Sequence, residues 1–162
     1  MKIWVDADAC PGSIKEIIYK AVERLKISAT FVANQYLKLP FSEFLSLVVV
    51  EKKFDSADYH IVEHLEKDHL VITGDILLAS EVVNKGALAI DPRGKIFDET
   101  TVYNAVAVRN LMQTLREGRM VEKSGPRPFD NLDKKKFSAT FEKQISILKK
   151  RSLEKIKVIS HS

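Results

Sequence analysis

The chain has 162 residues, 45% of them hydrophobic and 30% charged, with a single cysteine. These values describe one globular core and exclude a disordered or fibrous chain, a disulfide framework and a multi-cysteine zinc site. No run approaches the ~18 apolar residues of a membrane span, and Asp6 interrupts the N-terminal apolar stretch, so a soluble, cytoplasmic protein with no membrane partner is expected.

The net charge of +4 is unevenly spread. Residues 1–118 hold 14 cations and 17 anions, whereas residues 119–162 hold 12 cations and 5 anions. A basic end on an acidic body suits a polyanion, because Lys and Arg release condensed counterions when they neutralise phosphates. The competing reading is a solvated end that aids solubility.

In chain order, "KIWV" reads as a strand and "PGSIKEIIYKAVERLK" as a helix with Pro11 in its first turn. Ile14, Ile17, Ile18, Ala21, Val22 and Leu25 follow the 3.6-residue period. "ISATFVAN" and "LSLVVVE" read as the second and third strands, followed by a helix over "DSADYHIVEHLEK". "HLVITGD" is a fourth strand, "ILLASEVVNKG" a helix stopped by Gly86, and "ALAID" a short fifth strand. A long helix over "TTVYNAVAVRNLMQTLREG" ends at Gly118, and a last helix follows "GPRPFDN". Strands rich in Val, Ile and Leu alternating with helices predict a parallel sheet covered on both faces. The chain divides into a single domain over 1–148, with 119–148 as its C-terminal helical extension, and a loose basic tail over 149–162.

The strands end on Asp6, Asn34, Glu51, Asp75 and Asp91. In a parallel sheet these ends share one edge, where open α/β folds bind ligands. Four carboxylates there repel one another unless they are spread apart, protonated or neutralised by a cation. Plain structural roles compete: Asp75 as a helix N-cap, Asp91 as the start of a "DPRG" turn, and Glu51 as a solvated strand end. Asp55 and Asp58 fit the cap and third positions of a capping box. Asp6 is the hardest to explain so, since a carboxylate on the Trp4 face of a central strand is costly unless paired or metal-bound.

Three chemistries fit. A hard divalent cation, Mg²⁺ or Mn²⁺, takes carboxylates and waters, and Asp6, Asp8, Asp58 and Asp75 would converge on one if the helix at 55 begins near the first and fourth strand ends. A phosphatase of the haloacid-dehalogenase type would use Asp6 as nucleophile and Asp8 as acid/base. "DADAC", however, puts Cys10 at the motif's third fixed position, and "GDILLA" puts Ala79 where its later acid should stand. A Cys10 nucleophile at a helix N-terminus is opposed by the neighbouring carboxylates, which leaves Cys10 as a small buried side chain. His60, His64, His69 and His161 read as surface residues.

"IWVDADACPGSIKEII", "FVAN", "VVVEKKFDSAD", "LVITGDILLASEVVNKGALAIDPRGKIF" and "GPRPFDNLDKKKFSATFEK" together resemble the YaiI/YqxD family of bacterial proteins, over about residues 1–148. That family is grouped with PIN-like domains, a superfamily of metal-dependent nucleases. The resemblance implies a Rossmann-like, mostly parallel α/β sheet with an acidic pocket at its carboxyl edge. It places Asp6, Asp58 and Asp75 at the superfamily's acidic positions, with Asp8 just beyond Asp6 and Asp55 as a supporting acid. In one departure, Gly74 stands in "TGD" where Ala is expected of relatives.

The expected activity is Mg²⁺- or Mn²⁺-dependent hydrolysis of phosphodiester bonds in single-stranded RNA. Asp6 and Asp75 would hold the main ion, Asp58 would complete the site or orient water, and Asp8 would act through a water or a second ion. Lys15 and Arg109 are candidate phosphate-binding cations. The alternatives are a non-catalytic nucleic-acid-binding or regulatory module and the phosphatase. A homo-oligomer is compatible with the sequence.

Overall fold

The computed structural model describes residues 1–53, 55–120 and 127–160. Six strands form one sheet in the order β3-β2-β1-β4-β5-β6. They are β1 (Lys2–Asp6), β2 (Ala29–Ala33), β3 (Leu45–Val49), β4 (His69–Ile72), β5 (Leu88–Ile90) and β6 (Ile96–Phe97). The first five are parallel, and β6 alone is antiparallel, returning from β5 through the Asp91–Gly94 turn. The expected mostly parallel α/β sheet is present; β6, with two residues, carries too little pattern to be read beforehand.

Among the described residues five α-helices cover the sheet: α1 (Gly12–Leu25), α2 (Ser56–Glu63), α3 (Ile76–Asn84), α4 (Glu99–Glu117) and α5 (Asn131–Ser160). Side chains alternate along each strand, so the two faces build separate cores. Ile3, Val5, Phe31, Leu70 and Ile72 pack with α1 and with Phe137, Phe141, Ile145 and Leu148 of α5. Trp4, Val32, Val71 and Ala89 pack with Ile61 of α2, Leu78 and Val82 of α3, and Val102 of α4.

From β1 the chain moves outward to β2 and β3, then returns to place β4 on the other side of β1. The β1/β4 boundary is therefore the topological switch point, where diverging connections leave a crevice at the strands' carboxyl ends.

The last helix departs from expectation. The 149–160 segment, expected as a loose tail, continues α5 without a break. Its Arg151 donates to the carbonyls of Lys67 and Gly86, and its Lys155 pairs with Glu66. Those carbonyls precede β4 and β5, so α5 crosses the sheet and ends at its amino edge. At the carboxyl edge, Gly94 fixes the start of α5. It has φ +86°, and a Cβ there would lie 2.6 Å from the Lys136 backbone, so only glycine fits.

Candidate metal centre

Asp6 closes β1 half-buried, and its Oδ2 accepts a hydrogen bond from the Thr73 hydroxyl at 2.9 Å. Thr73 stands just past β4, directly across the switch point. Its hydroxyl oxygen also accepts from the Asp75 backbone N–H at 3.0 Å, so one buried threonine positions both acids. Asp75 is the N-cap of α3: its Oδ1 accepts from the backbone N–H groups of Leu77 and Leu78 at 2.9 and 3.3 Å. The cap and ligand readings of Asp75 are thus compatible, since capping uses one oxygen of two.

The first turn of α2 brings Asp58 to the same pocket as Asp75, where burial and the charge of Asp75 raise the Asp58 carboxyl. Asp55, at the head of α2, adopts φ 65° and makes no side-chain cap, so its carboxylate stays at the pocket. Asp8 lies on a 3-10 turn over Ala7–Ala9, and its Oδ2 accepts from the Asn34 N–H at 2.9 Å, tying the end of β2 to that of β1.

Asp6, Asp8, Asp55, Asp58, Asp75 and Glu51 line one pocket of about 200 Å³. Among the described residues its only lining cation is Lys53, already paired with Glu51 at 2.8 Å. The electrostatic cost shows in two groups. Burial, then the charges of Asp75, Asp6 and Asp55, push the Asp58 carboxyl up to about 7. Burial likewise raises Asp6, with Asp75 and Asp8 adding and the Thr73 hydrogen bond opposing. An oxygen-only donor set with excess negative charge fits a hard divalent cation such as Mg²⁺ or Mn²⁺. Asp6, Asp8, Asp58 and Asp75 are the residues that would hold it, although no three of them bring carboxylate oxygens within 4.8 Å of one another.

The other sequence candidates fall elsewhere. Cys10 is buried, and desolvation pushes its thiol up to about 12, with Asp6 adding and Lys15 opposing, so it is no nucleophile at neutral pH. Ala79 is fully buried against α2 and α4, leaving no second acid on α3. Asp91 leaves the strand-end set: its Oδ1 accepts from the N–H groups of Arg93 and Lys95 and fixes the turn into β6. Lys15 lines a small adjoining pocket with Asp8 and Tyr36, and Arg109 lies along α4. At Gly74 a Cβ would meet nothing within 4 Å, so the expected alanine would be accommodated.

In "GPRPFDN", Gly125 and Pro126 lie outside the described residues. The part from Arg127 onward docks on the turn before β6, not over the acidic pocket. Arg93 and Arg127 both donate to the buried Asp133, at 2.7 and 2.6 Å, and Phe129 packs beside the Arg93 guanidinium. The Arg127 hydrogen bond, with the Asp130 backbone N–H and the charges of both guanidiniums, holds the Asp133 carboxyl down at about 2.

His69 corrects the surface reading. It is buried at the start of β4, and its Nδ1 accepts from the Trp4 indole at 3.1 Å. His60 is half-buried with its ring edge-on to Trp4, His64 is exposed, and His161 lies outside the described residues. Among the described residues, Glu66, Asp68 and His69 are the one acid and imidazole group whose ligand atoms lie within 4.8 Å of one another. Its hydrogen bonds oppose metal binding. An indole N–H only donates, so His69 Nδ1 must be the acceptor and Nε2 carries the proton, facing Glu66 at 3.3 Å. The Met1 amine and Lys155 already neutralise the two carboxylates, at 2.6 Å to Asp68 and 3.2 Å to Glu66.

The sequence reading missed Thr73 as a positioning residue; a threonine two places before the aspartate that ends an apolar strand was the available signal. His69 offered none, because its imidazole partner is the Trp4 indole, 65 residues away.

The chain is 44% identical over 151 residues to a UPF0178 protein of Shewanella loihica, covering 93% of this chain and all of that one. It is 45% identical over 143 residues to a UPF0178 protein of Proteus mirabilis, covering 88% and 94%. No solved structure matches significantly. The family described as "Uncharacterized BCR, YaiI/YqxD family" matches residues 4–147, and the chain belongs to that family.

Proposed function

We propose that the protein is a Mg²⁺- or Mn²⁺-dependent nuclease acting on single-stranded RNA. The observation that carries this reading is the gathering of Asp6, Asp8, Asp58 and Asp75 at the switch point with Asp58 pushed up to about 7. Carboxylates so placed are stabilised by a cation more than by any other partner in reach. The PIN-like resemblance of the same positions points to phosphodiester hydrolysis as the use.

A bound divalent ion supplies Lewis acidity toward a phosphate oxygen and lowers the pKa of a water. The chain supplies orientation. Thr73 and the α3 amides fix Asp6 and Asp75 relative to each other before any ligand arrives. Asp58, in the first turn of α2, would complete the acidic set or orient the attacking water. Asp8, held by the Asn34 N–H, borders the pocket on the β2 side.

The test is cleavage of single-stranded RNA with added Mn²⁺ by wild type and by Asp75→Asn. Loss of on the order of 10²-fold or more in the variant supports the nuclease, because positioning by the ligand set supplies much of the catalysis. Equal residual rates would mark a contaminant and favour a non-catalytic nucleic-acid-binding module.

A further inference from the structure

Among the described residues, one face of α4 is left uncovered. Thr101, Ala105, Val108, Arg109, Met112 and Arg116 follow a single helical stripe, as the 3.6-residue period requires. Together with Ile76 and Lys95 they line a groove of about 590 Å³. Ile76 directly follows Asp75, so consecutive residues at the start of α3 line the groove and the acidic pocket. Its described lining holds three cations and no carboxylate. Among the described residues Arg109 and Arg116 have no ion-pair partner, though both are half-buried along the apolar floor. By contrast, Arg24, Arg93, Arg127 and Arg151 are engaged by side-chain or backbone acceptors.

An apolar floor with unpaired guanidiniums on it suits a chain of alternating flat bases and phosphates. A purely apolar partner would leave the two arginines without counter-charges. Resting on the nuclease reading, we infer that this groove carries the part of a single-stranded polynucleotide that extends from the phosphate at the acidic pocket, with Arg109, Arg116 and Lys95 on its phosphates. Two lysines of the basic C-terminal end are placed differently. Lys149 and Lys150 follow α5 toward the amino edge, away from the pocket.

The experiment measures affinity of the full chain for a fluorescent 12-nucleotide RNA, and for DNA of the same sequence, in an Asp75→Asn background so that the probe survives. Adding Arg109→Gln and Arg116→Gln is expected to weaken binding at least tenfold. It should also lower the log–log salt slope by roughly 1.4, at ~0.7 per lost phosphate contact on a single strand. Lys149→Gln with Lys150→Gln removes equal charge and is expected to change affinity less than threefold. Arg109→Lys with Arg116→Lys, which keeps the charge, should restore most of the binding and guards against a folding defect. Unchanged affinity in the arginine double variant, equal losses in both double variants, or no binding of either probe overturns the inference. The two proposals fail separately. A wild type that binds through these arginines without cutting ends the nuclease reading alone, whereas one that cuts equally well without them ends the groove alone. A preference between the RNA and DNA arms assigns the sugar.

Discussion

Thr73 and Asp6 are joined across the switch point by a 2.9 Å hydrogen bond between residues 67 apart in sequence. Because the same hydroxyl accepts from the Asp75 N–H, this one contact sets the relative position of two candidate ligands. Thr73→Val keeps the shape and removes the hydroxyl. It should cost about 1–2 kcal/mol of stability, as a buried hydrogen bond does when its partners are left unsatisfied. Removing a residue that orients ligands typically weakens metal affinity by about 10–100-fold. Calorimetric titration with Mn²⁺ checks the second effect, and unchanged affinity would remove Thr73 from the site's design.

Metal binding and folding are linked if only the folded chain assembles the pocket. At a free Mn²⁺ concentration 100 times the Kd, linkage supplies about 2.7 kcal/mol. For a chain of this size that is roughly 5–10 °C in Tm. Asp6→Asn should abolish the increment and raise the Tm of the metal-free protein by relieving repulsion. A wild-type Tm indifferent to millimolar Mn²⁺ and Mg²⁺ would sink the metal reading.

The acidic pocket also predicts a pH dependence with a definite sign. Asp58 is raised on folding, from the ordinary carboxylate range to about 7. Its neutral form therefore favours the fold at low pH, and that contribution is lost as pH rises through about 7. His60 and His69 are lowered by burial, so they act oppositely, losing stability as pH falls below their ordinary value. The difference between wild type and Asp58→Asn isolates the carboxylate. In the absence of metal, Asp58→Asn should be the more stable protein at about pH 8, by about 1 kcal/mol after discounting for solvent screening. The gap should shrink toward about pH 5. A gap constant across that range would show that Asp58 is ionised throughout.

The sequence made the pocket legible because it is built from strand ends. Runs of Val, Ile and Leu mark the parallel strands, and the residue closing each run must lie at one edge. Asp6 and Asp75 could be paired on that basis, and "DPRG" already marked Asp91 as a turn residue, which its bonds from the Arg93 and Lys95 N–H groups bear out. What the sequence could not carry is long-range. The buried stripe of α5 ends at Leu148, and the apolar residues beyond it, Leu153, Ile156 and Ile159, are exposed. Helix beyond that point is held by Arg151 and Lys155 on residues 65 to 89 positions away. No local pattern reports such contacts, so the segment reads as a tail.

Truncation after Leu148 tests that placement. Arg151 loses two hydrogen bonds, leaving the Lys67 and Gly86 carbonyls to water, and Lys155 leaves Glu66 and Asp68. Exposed ion pairs contribute little, so most of the loss comes from the charge-assisted bonds of Arg151, about 1–2 kcal/mol in all. Asp68 has a second counter-charge in the Met1 amine at 2.6 Å, which limits the damage at the amino edge. The Tm should fall by roughly 3–6 °C, while the Mn²⁺-induced increment stays as in the full chain, because the acidic pocket lies at the opposite edge of the sheet. Arg151→Ala alone should reproduce most of that fall. A truncated protein with unchanged Tm would mean that helix beyond Leu148 adds nothing to the fold. A truncated protein that had lost its metal increment would mean that the two edges of the sheet are coupled.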